Sequence, residues 1–187
     1  MIPRSRIKIN QPMKYILSFL LISTSFIAFA QPKEVQIELN ETFAHYQNAY
    51  NNATEAYKML TKGYKRSASM SDARYYLGSA RKYMVKASEY CLKASKRAQG
   101  TLTLAVVQSC KHSNGNYSKM DEQFIEASQK FLLSKSELDL ALAEESDFNV
   151  IGNYMSTALT YMQSGVEKLN IAIEEMNSGS SNMKKCN

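Results

Sequence analysis

From residue 33 to its last residue the chain contains no proline. Proline deletes a backbone donor and clashes with the preceding helical turn, so 155 residues without one are open to long, unbroken helices. All three prolines, Pro3, Pro12 and Pro32, lie before that stretch, and tryptophan is absent from the whole chain.

The apolar spacing fills this stretch with helices. Helix 1 (about 33–67) carries Leu39, Phe43, Tyr46, Tyr50, Ala53, Tyr57, Leu60 and Tyr64 at alternating steps of three and four. Helix 2 (about 72–98) carries Ala73, Leu77, Ala80, Met84, Ala87, Cys91, Ala94 and Ala98. Helix 3 (about 118–146) carries Met120, Phe124, Ala127, Phe131, Ser134, Leu138 and Ala141. Helix 4 (about 148–177) carries Ile151, Met155, Ala158, Met162, Gly165, Leu169, Ala172 and Met176. Sustained alternation of this kind keeps one seam of each helix against a partner.

The stripes repeat. A shift of 78 carries Tyr76, Ala80, Tyr83 and Met84 onto Tyr154, Ala158, Tyr161 and Met162. A shift of 81 carries Leu39, Phe43 and Tyr50 onto Met120, Phe124 and Phe131, which places a three-residue insertion at the turns. The expected fold is all-α: an up-down-up-down four-helix bundle of two duplicated antiparallel hairpins, 33–98 and 118–177. Ser71-Asp72 and Ser146-Asp147 read as the caps that open helices 2 and 4. The rings of helix 1 are expected to pack on the alanines of helix 2. Residues 99–117 read as a short helix or ordered loop over one pole, and 178–187 as a flexible tail by composition.

Residues 1–30 read as a secretory signal peptide. Arg4, Arg6, Lys8 and Lys14 precede an apolar run, Tyr15 to Ile27, that closes on Ala28-Phe29-Ala30. Sixteen residues interrupted by four hydroxyls are short for a membrane span, so cleavage after Ala30 and a periplasmic or secreted product are expected. A retained anchor is the alternative. The small-residue site and an Asn-, Ser-, Lys- and Tyr-rich body resemble those of exported bacterial proteins, which implies the same compartment and no function. Removing the leader leaves 19 basic against 17 acidic residues, so the basic character that would suggest nucleic acid disappears.

What remains is unevenly spread. Residues 31–116 hold 13 basic and 6 acidic groups, whereas 117–187 hold 6 and 11. Either a basic face meets an anionic partner, or oppositely charged helices attract each other inside the bundle. Tyrosine marks the first hairpin: Tyr50, Tyr57, Tyr83 and Tyr90, with Lys86 and Lys93 as a charged rim, are the candidate binding residues for a protein, peptide or anionic glycan. A buried phenol needs a partner for its hydroxyl, so these rings line either a groove or a wet edge of the core.

No catalytic or metal site is legible. His45 and His112 lie in different segments, with no Glu-x-x-His pair, Cys-x-x-Cys-His, glycine-rich phosphate loop or serine elbow. No cofactor is expected. Cys91, Cys110 and Cys186 can gather at one pole, with Cys91–Cys110 the first choice of disulfide and Cys110–Cys186 the second. The expectation is an exported, non-enzymatic interaction protein, monomeric or weakly dimeric. A structural subunit that docks a partner helix is the alternative, and a hydrolase or redox protein is the remotest.

Overall fold

The structure is a computed structural model that describes residues 32–66, 69–145 and 147–186. The leader with its cleavage position, Ser146 and the side chain of Tyr64 lie outside the described residues. The described residues form five helices, α1 (Lys33–Arg66), α2 (Met70–Leu102), the short α3 (Ala105–Ser109), α4 (Lys111–Ala143) and α5 (Phe148–Met183), with no strand among them.

Each long helix runs antiparallel to the next. Arg97 of α2 reaches Glu38 and Glu41 near the start of α1, while Tyr76 lies against Gly63 near its end. Arg81, Ser88 and Ser95 of α2 meet Asp139, Ser128 and Asp121 of α4 in descending order. Ser134 donates to the Ala158 carbonyl and Ser113 to the Gly179 carbonyl, which sets α4 against α5. The α2–α4 contact is extensive, whereas α1 and α5 meet sparsely. One apolar core runs through all four.

The seam of α1 differs from the expected one. Its buried positions are Val35, Leu39, Thr42, Ala49, Ala53, Ala56, Leu60 and Gly63, while Phe43, Tyr46, Tyr50 and Tyr57 are half-buried on the flank. Small side chains let axes approach, so the seam turns toward Ala49, Ala56 and Gly63 and the rings swing to the edge. Large-into-small packing recurs in the second hairpin, where Phe131 lies against Gly165 and Tyr117 against Gly179, as Tyr76 does against Gly63 in the first.

A single shift of 78 relates the two hairpins in burial. It carries the buried residues of α1 onto Ser113, Tyr117, Met120, Ala127, Phe131, Ser134, Leu138 and Ala141, all buried. It carries the buried residues of α2 onto buried residues of α5, except that Ser95 lands on half-buried Ile173. The helix starts Lys33 and Met70 land on Lys111 and Phe148. The expected shift of 81 and its three-residue insertion therefore do not describe the burial register.

Three boundaries also differ. Ser69, not Ser71, caps α2 by accepting from the Asp72 amide at 3.2 Å, and its counterpart Asp147 accepts from the Asn149 and Val150 amides of α5. The 99–117 linker shrinks to 103–110, because α2 continues to Leu102 and α4 begins at Lys111. The tail is helical to Met183: Gly179 and Met183 are buried, and Asn182 donates to Asn116 at 2.9 Å. Burial and these interhelical bonds outweigh the low helix propensity of the Ser178–Ser181 run.

Cys110 and Cys186 form the disulfide, with Cα atoms 5.7 Å apart, and it ties the chain after α5 to the start of α4. The first-choice bridge is thus wrong. Cys91 lies wholly inside the core as a small apolar side chain, and burial pushes its thiol pKa far up.

Candidate functional site

The buried serine and threonine hydroxyls are engaged within the fold. Thr42 and Thr101 donate to carbonyls of their own helices, Glu38 and Arg97. Ser88 and Ser128 bond each other at 2.8 Å, and Ser95 bonds Asp121. Ser113 and Ser134 span α4 to α5. Every buried hydroxyl of a serine or threonine among the described residues thus holds helices together or closes a turn. Among those residues, no group of three or more His, Cys, Asp or Glu is placed to hold a metal ion.

The six sequence-named residues separate into two groups. Tyr90 belongs to the α1–α2 flank: its ring centroid is 6.1 Å from that of His45, and the Lys93 ammonium sits 4.8 Å above it. Tyr83 is half-buried two turns earlier on α2, and Lys86 and Lys93 are exposed. Seven residues nearly close two helical turns, so Tyr83 and Tyr90 share one face. Tyr50 lies elsewhere. Its ring is tilted against that of Tyr46 at 6.1 Å, and Tyr46 stacks with Phe43 at 5.7 Å. On α1, Tyr50 is about 140° round the helix from His45, so this ladder and the His45–Tyr90 contact occupy different flanks. Tyr57 continues the ladder's face, being seven residues from Tyr50. All four rings pack against the core from its edge. Burial raises the Tyr46 phenol to about 12, with Tyr50 adding to the effect, and burial raises Tyr50 as well.

Sequence reasoning passed over His45, Glu38, Glu41 and Arg97, which complete the α1–α2 flank. Arg97 bridges Glu41 at 2.6 Å and Glu38 at 3.6 Å. His45 is held below its usual value, first by burial and then by Lys93 and Arg97, with Glu41 opposing. The available signal was spacing: Glu38, Glu41 and His45 fall at steps of three and four on one face. The flank therefore offers a tyrosine ring tilted against one imidazole, with an ammonium group over the ring.

Part of the charge imbalance is met inside the fold. Arg81 and Lys135 converge on Asp139, and Ser95 and Gln99 on Asp121, across α2–α4. Lys82, Lys86, Lys93 and Lys96 instead stay exposed on α2. Among the described residues, no helix is long and apolar enough to cross a membrane. No protein-family model matches the chain, and neither a curated protein nor a solved structure matches it.

Proposed function

We propose that this chain is an exported, non-enzymatic interaction protein whose α1–α2 flank binds an anionic partner, a peptide or a glycan. The observation that carries the reading is the Lys93 ammonium over the Tyr90 ring beside His45, with Lys86 and the half-buried Tyr83 on the same helix. A ring faced by a cation binds apolar and anionic chemistry together, and Tyr and Lys at a rim orient such a partner. The engagement of the interior hydroxyls in packing supports a scaffold over an enzyme. The Cys110–Cys186 disulfide supports an oxidising compartment, and with it cleavage of the leader after Ala30.

The scaffold is a four-helix bundle that arose by duplication of one helical hairpin. The uniform burial shift of 78 and the matched caps Ser69 and Asp147 support that origin. As a second reading, the exposed Leu133 and Leu140, seven residues apart on α4, favour a structural role in which a helix docks there.

The deciding experiment is affinity capture from the native envelope with wild-type protein beside Tyr90→Ala/Lys93→Ala. Capture that is lost in the folded double variant, and competed by an anionic polysaccharide or acidic peptide, supports the reading. An unchanged captured set ends it.

A further inference from the structure

The outer side of the α2–α4 seam carries an apolar strip that the core does not use. Ser88–Ser128 and Ser95–Asp121 fix the register of the two helices. Four residues beyond Ser88, Asp121 and Ser128 stand Leu92, Ile125 and Leu132, each one turn on and rotated by about 40°. In antiparallel neighbours that rotation turns both helices toward the same side, here away from the core. Val85, three residues before Ser88, joins them. Leu92 is 51% exposed and Leu132 45%, with Val85 and Ile125 half-buried between the ridges.

The ridges differ in charge. Beside the strip, α2 presents Lys82, Glu89 and Lys96, and α4 presents Glu122 with the uncharged Gln129 and Ser136, all exposed. The strip is too wet to be core and too apolar to be ordinary surface.

We propose that this face is a homodimer interface, in which a two-fold axis parallel to the helices lays α2 of each copy on α4 of the other. Charge selects that arrangement. A two-fold axis across the helices, centred on the strip, would set Glu89 on its own copy and Lys82 on Lys96, like against like. The parallel axis keeps each residue at its own level, so Leu92 meets Ile125 of the second copy, Val85 meets Leu132, and Lys96 meets Glu122. The strip is self-complementary in this frame, as an isologous interface requires. The Tyr83–Tyr90 flank is on the other side of α2 and stays open, so the dimer would display two copies of it.

Sedimentation equilibrium on the full chain, over a concentration series, tests the interface. Wild type is expected to dimerise. Leu132→Glu raises the dissociation constant by about thirtyfold or more, the loss of one buried anchor, with helicity unchanged by circular dichroism. Leu92→Gln also weakens the dimer, whereas Leu133→Gln, about 100° away on α4, leaves it intact. Lys96→Glu weakens the dimer by about tenfold, and Lys96→Glu/Glu122→Lys restores it. A wild-type chain that stays monomeric throughout overturns the proposal. So does a dimer indifferent to Leu92 and Leu132, or one that the charge exchange fails to restore.

Discussion

The ring of Tyr117 fills the space in which Gly179 has no side chain: a Cβ on Gly179 would stand 2.5 Å from Cε1 of that ring. Gly165 stands in the same relation to Phe131, where the distance would be 2.7 Å. Both glycines are buried inside α5, where a glycine costs a helix about 1 kcal/mol relative to alanine. That cost is offset by the approach of α4 and the burial of two aromatic rings.

Gly179→Ala and Gly165→Ala should therefore each destabilise the protein by about 1–3 kcal/mol, through overpacking against a ring that cannot move freely. Gly78, Gly115 and Gly152 are helical glycines with nothing within 4 Å of a built Cβ. Alanine there should stabilise by about 0.4–1 kcal/mol. Urea denaturation of the five single variants checks both signs, and uniform destabilisation would contradict the packing argument.

These pairs show what the sequence could and could not convey. The stripes of α2, α4 and α5 were legible because their seams are apolar or alanine at nearly every step. In α1 two parallel rows compete: Phe43, Tyr50, Tyr57 and Tyr64 on one side of Leu39, Tyr46, Ala53 and Leu60, and Thr42, Ala49, Ala56 and Gly63 on the other. Counting apolar surface favours the rings, but close approach of helix axes favours the small residues. That misreading also produced the shift of 81, since Phe124 corresponds in burial register to Tyr46 and not to Phe43. The tail was hidden for a different reason. Glycine and serine read as flexible until Tyr117 requires the one and Asn116 holds the next turn through Asn182. His45 and Arg97 joined the candidate flank only through contacts between helices, which no local pattern encodes.

The disulfide closes a loop with a sequence separation of 76, and on the chain-entropy model such a cross-link stabilises by about 4 kcal/mol. Cys186→Ser should lower stability by up to that amount and fray the last turn of α5. Hydrogen exchange should show lost protection from Gly179 to Met183 while the middle of α5 keeps its own. Thiol counting supplies a second check: the native protein should expose no reactive thiol, and denaturation without reductant should release one, Cys91.

Ser88 and Ser128 supply a test of interior polarity. Either hydroxyl can donate across the 2.8 Å contact, and both residues are buried. Ser88→Ala alone strands the Ser128 hydroxyl and should cost about 1–3 kcal/mol. Ser88→Ala/Ser128→Ala removes both partners, so it should cost less than the sum of the single changes and come close to neutral. A double-mutant cycle in urea measures the coupling; strict additivity would mean that the hydroxyls do not act as a pair.

Acid should loosen the α1–α2 flank before it attacks the carboxylates. His45 faces Tyr90, Lys93 and Arg97 from α2, with Glu38 and Glu41 on its own helix. Burial, then Lys93 and Arg97, hold its pKa below the ordinary 6.5, against the opposing pull of Glu41. In the unfolded chain the imidazole takes its proton at the ordinary value. Between the two values the unfolded state therefore binds more protons, and stability rises with pH. The contribution of His45 is fully present above 6.5 and is lost as pH falls from 6.5 through the folded value. Thermal unfolding of wild type and His45→Gln across this window should give curves that converge or hold parallel above it. Below it the wild type should lose stability faster, because glutamine carries no titrating proton. A wild-type curve as flat as that of His45→Gln would show that the imidazole is not held against Lys93 and Arg97 in solution.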